Sequence, residues 1–110
     1  MESRISLITL GVKDLKKSIK FYKKGLGLKR YPFKSDDVAF FNLKGTWLGL
    51  YPWEELAKDA LVPVSGKGFR GVTLAHNVKT KAEVRKILAQ AKRAGAAEPQ
   101  PGTPRQQFFA

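Results

Sequence analysis

A chain of 110 residues with 43% hydrophobic and 11% aromatic side chains has the apolar material for one modest core, which excludes a disordered segment and a multidomain assembly. It has no cysteine, so disulfides and thiolate-bound metals are ruled out, and no stretch approaches the ~20 apolar residues of a membrane span. The net charge of +12 is concentrated: residues 13–30 hold eight bases and one acid, residues 79–93 six bases and one acid, and together these account for all of it.

Residues 1–6 show no apolar run behind a basic start, so a cytoplasmic protein without a membrane partner is expected. The first predicted strand covers residues 4–12; Ile5, Leu7 and Thr9 share one face, and Ser6, Ile8, Leu10 and Val12 the other. Asp14 is placed to cap a helix whose apolar stripe is Leu15, Ile19, Tyr22 and Leu26, at steps of four, three and four. Five lysines fall mostly off that stripe. Gly25 is expected to end the helix in the left-handed conformation, and Gly27 to turn the chain back.

Residues 29–34 (KRYPFK) read as a second strand near a sheet edge, since Pro32 has no N–H for a ladder. After a Ser35-Asp36-Asp37 turn, residues 38–43 (VAFFNL) and 46–51 (TWLGLY) form a hairpin around Lys44-Gly45. On the second of these strands Trp47, Gly49 and Tyr51 share a face. Residues 52–60 predict a short helix with Pro52 at its start and Glu54 and Glu55 in its first turn.

The opening pattern then returns. Residues 69–78 (FRGVTLAHNV) predict a strand, and Thr80 opens a T-x-x-E capping box with Glu83 before a helix striped by Val84, Ile87, Leu88 and Ala91 and ended by Gly95. Aligning Val12 with Val78 sets Leu7 against Thr73 and Tyr22 against Leu88, an internal repeat. The expected organisation is a β-α-β-β-β module over residues 1–52, a linker with a short helix over 53–68, and an incomplete second module over 69–110, within one domain. Pro99, Pro101 and Pro104 oppose a regular ladder after Gly95, though residues 106–110 have room to pair as a terminal strand. An open edge and an uncovered apolar face lead to the expectation of a homodimer through strand or module pairing.

The stretch VKDLKKSIKFYKKGLGLK, the repeated FRGVTLAHNV and the aromatic hairpin FFNLKGTWLGLYP resemble the vicinal oxygen chelate superfamily of glyoxalases, bleomycin-resistance proteins and extradiol dioxygenases, over residues 4–97. The resemblance implies an α+β fold of paired βαβββ modules, with mixed, curved sheets around a ligand pocket and helices outside. Metal-dependent members carry a histidine or glutamine five residues before the valine of a module's first strand, and a glutamate in its last strand. The matching positions here are Leu7 and Thr73, and no carboxylate lies within residues 44–51. The expectation is therefore no metal and no cofactor.

His76 is the single histidine. By alternation it joins Val72, Leu74 and Val78 on the side that meets the helix, which favours a structural role; a bulge at Asn77 would turn it to the pocket. Phe41, Trp47, Tyr51 and Trp53 are candidates to line an apolar pocket and stack on a flat ligand, with Leu7, Thr9 and Thr73 beside them. No phosphate loop, nucleophile elbow or paired carboxylates appear.

The function expected is metal-free binding of a small neutral or anionic, aromatic or apolar molecule. The alternatives are a metal-dependent lyase, isomerase or dioxygenase, and an anionic-surface or nucleic-acid binder acting through the basic helices.

Overall fold

A computed structural model of the chain describes residues 1–33, 35–64, 74–96 and 107–108. Backbone contacts divide the chain into two compact units, Met1–Ser65 and Gly66–Ala110.

The first unit is a sheet of three strands, β1 (Leu7–Val12), β2 (Ala39–Asn42) and β3 (Trp47–Pro52), in the order β1-β3-β2. β1 and β3 run parallel, with Leu7 beside Trp47 and Val12 beside Pro52; β2 and β3 run antiparallel, with Asn42 beside Trp47 and Ala39 beside Leu50. Backbone pairing reaches slightly before β1, where Trp47 N–H donates to the Ser6 carbonyl at 3.0 Å and Thr46 Oγ1 donates to the Ile5 carbonyl at 3.0 Å.

The crossover between β1 and β2 is α1 (Leu15–Lys20), which continues into a π-helical turn, Phe21–Gly25. Asp14 is the N-cap, and its carboxylate accepts the Lys17 N–H at 3.1 Å. The stripe goes down as its spacing requires: Leu15, Ile19, Tyr22 and Leu26 pack with Val12, Ala39, Phe41, Leu48 and Leu50 in the core. Gly25 does not take the left-handed conformation expected of it. It lies in the π turn, which the Leu26 N–H closes on the Phe21 carbonyl at 2.9 Å, and Gly27, at φ +75°, makes the left-handed reversal.

Residues 29–33 do not form the strand expected of them. Tyr31 N–H donates to the Phe40 carbonyl at 2.7 Å and Asn42 N–H to the Lys29 carbonyl at 3.2 Å, giving a single bridge, Arg30 to Phe41. The segment then turns at Pro32, where Phe33 N–H bonds the Tyr31 carbonyl at 2.7 Å, and leaves the sheet because proline has no N–H to continue the ladder. The β2–β3 hairpin turns through Gly45 at φ +91°.

α2 (Trp53–Asp59) follows β3 directly, with Pro52 at its N-cap and Glu54 and Glu55 in its first turn. In the second unit, β4 (Leu74–Ala75) pairs antiparallel with β5 (Gln107–Phe108), so the terminal pairing forms despite the prolines before it. The predicted strand over 69–78 is described only at β4 and the residues after it. α3 (Lys81–Arg93) has Thr80 as its N-cap, whose hydroxyl accepts the Glu83 N–H and donates to Glu83 Oε1, each at 3.1 Å, the capping box read from T-x-x-E. Ala91 is buried, Val84, Ile87 and Leu88 are half-buried, and the chain turns at Gly95, φ +107°. No helix among the described residues is long and apolar enough to cross a membrane.

Tyr22 carries a measurable signature of this core. It is 3% exposed, edge-on to Phe21 at 5.0 Å between ring centroids and tilted against Phe41 at 6.1 Å, and burial lifts its phenol from 10.0 to about 12. The unfolded chain loses this proton near pH 10 while the native state keeps it, so the contribution is intact below about pH 10 and is lost as the pH rises toward about 12. The loss amounts to roughly 2–3 kcal/mol. Urea unfolding at pH 9 and pH 11 is expected to show about half of this loss, ~1–1.5 kcal/mol, in the native sequence beyond any change seen in Tyr22→Phe. Equal responses in the two proteins would contradict the burial.

Candidate functional site

Alternation along β1 and β3 gives the sheet two unlike faces. One carries Leu10, Val12, Leu48 and Leu50 and is covered by α1 and its π turn. The other carries Leu7, Thr9 and Gly11 from β1 and Trp47, Gly49 and Tyr51 from β3, and the antiparallel register adds Phe40 and Asn42 from β2. This second face is the candidate site.

Its centre is Gly49. A methyl group built there would lie 3.1 Å from Thr9 Oγ1, 3.4 Å from Leu7 Cδ1 and 3.6 Å from Phe40 Cδ1, so these three side chains converge over the glycine from both neighbouring strands. Toward β2 and the segment beyond it, Tyr31 packs on Trp47, with ring centroids 4.9 Å apart and planes at 46°, and Phe33 on Phe40, at 6.2 Å and 55°. At the other end α2 crosses the face. A methyl on Gly11 would meet Trp53 Cε3 and Leu56 Cδ2, both at 3.2 Å, so the glycine lets the helix sit close. The Trp53 indole N–H donates to the Val64 carbonyl at 3.3 Å. Tyr31 and Phe33, 44% and 49% exposed, form a band of apolar surface open at the β2 side, and Leu7, 42% exposed, lies at the opposite, β1 edge.

Of the residues expected at a site, the structure brings Leu7, Thr9, Trp47 and Tyr51 together on one sheet face, with Trp53 over its end. Phe41 is a correction. It is fully buried on the opposite face, against Tyr22, because the hairpin register sets it beside Leu48 rather than Trp47. Phe40 holds the place given to it. His76 is exposed just beyond β4, not packed under the following helix, because the strand is over by Ala75 and alternation no longer governs the chain. Thr73 lies outside the described residues. Tyr31, Phe33 and Phe40 were not anticipated; for Phe40 the signal was its alternation with Phe41, whereas the others depend on a segment that leaves the ladder.

The donor set does not suit a divalent metal. Leu7 offers no ligand atom, and the side-chain oxygen donors of the face's strands are the Thr9 and Tyr51 hydroxyls and the Asn42 amide. Among the described residues no three His, Asp or Glu side chains come together. No carboxylate, imidazole or ammonium group belongs to the β-strands of this face, so what it can do is bury apolar surface, stack on flat rings and offer a few neutral hydrogen bonds.

Comparison with known proteins agrees with this architecture. No curated protein matches the chain. Among solved structures, a glyoxalase-related enzyme from Fulvimarina pelagi is similar with a TM-score of 0.73 and 29% identity, over 90% of this chain and 73% of that one. A hypothetical protein from S. aureus is similar with a TM-score of 0.76 and 25% identity, over 94% and 77%. Lactoylglutathione lyase from Agrobacterium tumefaciens, at 22% identity and a TM-score of 0.65 over 91% and 76%, shares the fold. A family profile matches residues 4–109, and with the module of strands and helix described above it establishes that the chain belongs to the Glyoxalase/Bleomycin resistance protein/Dioxygenase superfamily.

Proposed function

We propose that the chain binds a small, flat, apolar molecule, neutral or anionic, against the aromatic face of its first unit, without a metal ion. The observation that carries this reading is the convergence of Leu7, Thr9 and Phe40 over Gly49 beside the Tyr31–Trp47 ring pair, on a face whose strands hold no charged side chain. A planar ligand stacks on Trp47, and the Thr9 and Tyr51 hydroxyls supply hydrogen bonds to a polar substituent. A net charge of +12 sets up a positive field that attracts an anionic substituent and repels a cationic one. A second copy of the chain completes the cleft by covering the exposed apolar band.

Calorimetry with 2-naphthoate, 2-naphthamide and 2-naphthylmethylammonium tests this directly, because the three share one ring system and differ in charge. The expected affinity order is acid, then amide, then amine. Trp47→Ala is expected to weaken the acid by about tenfold or more, as loss of one aromatic stack costs ~1–3 kcal/mol, and EDTA to leave binding unchanged. The reading fails if the amine binds best, if Trp47→Ala binds as the native chain does, or if binding vanishes with EDTA.

A further inference from the structure

We infer that the lysine band of α1 docks on the phosphate backbone of double-stranded nucleic acid, without sequence preference. Lys13, Lys16, Lys17, Lys20, Lys23 and Lys24 are all exposed; Lys13 stands just before the Asp14 cap, and the others recur at steps of three to four residues through α1 and the π turn after it. Such spacing aligns Lys16 to Lys24 in one band about 12 Å long, at ~1.5 Å per residue, with Lys13 at its start. Asp14 is the single acid in the segment, and its carboxylate is engaged as the helix cap. Among the described residues the salt bridge is Arg4 with Glu2, and none of the six lysines takes part in one. Their charge is therefore left for a partner.

Two features select the partner. A helix that lies on a lipid surface sinks its apolar face among the headgroups; the apolar stripe of α1, Leu15, Ile19, Tyr22 and Leu26, is already used against the sheet. What remains outside is lysine, which matches a linear array of anions. Duplex nucleic acid carries one charge per ~1.7 Å of axis, about seven along a band of this length. Lysine is a compact point charge without the planar fork that reads a base edge, so the contact is to backbone and carries no sequence information. The surface is on the side of the sheet opposite the aromatic face and stands independently of it.

Fluorescence anisotropy of the full chain with a fluorescein-labelled 20-base-pair duplex of arbitrary sequence tests the inference. With four to six phosphates neutralised, the logarithm of affinity is expected to fall against log salt with a slope of about −4 to −5, roughly two to three orders of magnitude between 50 and 200 mM NaCl. The triple variant Lys16→Gln, Lys20→Gln, Lys24→Gln is expected to lose at least tenfold in affinity at 50 mM and to flatten the slope by about 3. The charge-matched triple Lys81→Gln, Arg85→Gln, Lys92→Gln on α3 should change affinity by less than threefold. Glutamine has nearly the helix propensity of lysine, and Lys20→Gln alone, expected to flatten the slope by about 1, keeps the test decisive should a triple variant unfold. Equal losses in the two triples, an unchanged slope in Lys20→Gln, or no binding at 50 mM overturns the inference. So does an α1 triple that keeps its duplex affinity while losing attachment to phosphatidylserine vesicles.

Discussion

Phe41→Ala is expected to destabilise the protein by about 3–5 kcal/mol, whereas Phe40→Ala, one residue away, should cost roughly 1 kcal/mol. The two side chains are alike and sit on the same strand. Phe41 has no exposure and lies between Tyr22 and the buried leucines of β3, so its removal leaves a cavity that the sheet and helix close only partly. Phe40 is half-buried on the aromatic face beside Phe33, where solvent fills the vacated space. A domain of this size has only about 5–10 kcal/mol in hand, so the first variant approaches or crosses its unfolding threshold at 37 °C. Urea denaturation of both proteins by far-ultraviolet circular dichroism gives the comparison. Equal costs would mean that the two faces of β2 are not distinguished as described.

Gly49→Leu is the complementary experiment, expected to cost about 1–3 kcal/mol of stability and to reduce affinity for 2-naphthoate by tenfold or more. Gly49 does not adopt a positive φ, so a side chain is not forbidden by the backbone. The obstacle is what lies above it: Thr9 Oγ1 at 3.1 Å, Leu7 Cδ1 at 3.4 Å and Phe40 Cδ1 at 3.6 Å from the first added carbon. All three are side-chain atoms, and Thr9 can rotate aside, so the chain still folds but with four carbons standing where a flat ligand would lie. Gly49→Ala, with a single carbon, should fall between the native chain and leucine in both measurements. A Gly49→Leu protein that folds and binds 2-naphthoate at native affinity would remove the ligand from this face.

Much of this architecture is readable from residue spacing. The stripe of α1, the Asp14 cap and the Thr80 capping box are local patterns, each fixed within a dozen residues, and each forms as its chemistry dictates. The face carrying Leu7, Thr9, Trp47 and Tyr51 follows from alternation for the same reason.

The burial of Phe41 is implicit in the hairpin itself. A turn at Lys44-Gly45 already pairs Asn42 with Trp47, and counting back along the strands puts Phe41 beside Leu48, among the core residues. Residues 29–33 were less legible. Their aromatic and basic composition suits a strand, but the γ-turn at Pro32 that carries Tyr31 and Phe33 to the aromatic face depends on where β2 offers its carbonyls, a tertiary matter. The π turn, likewise, moves the left-handed residue from Gly25 to Gly27 through a hydrogen-bond choice with no spacing signature.

The central claim is that the two faces of one small sheet have different tasks, one holding the fold and the other holding a ligand. Methyl-resolved nuclear magnetic resonance during a 2-naphthoate titration reads both faces in one sample. Ring-current shifts are expected in the methyls of Leu7 and Thr9 while those of Val12, Leu48 and Leu50 stay fixed. Shifts confined to the second group, or spread equally over both, would contradict it.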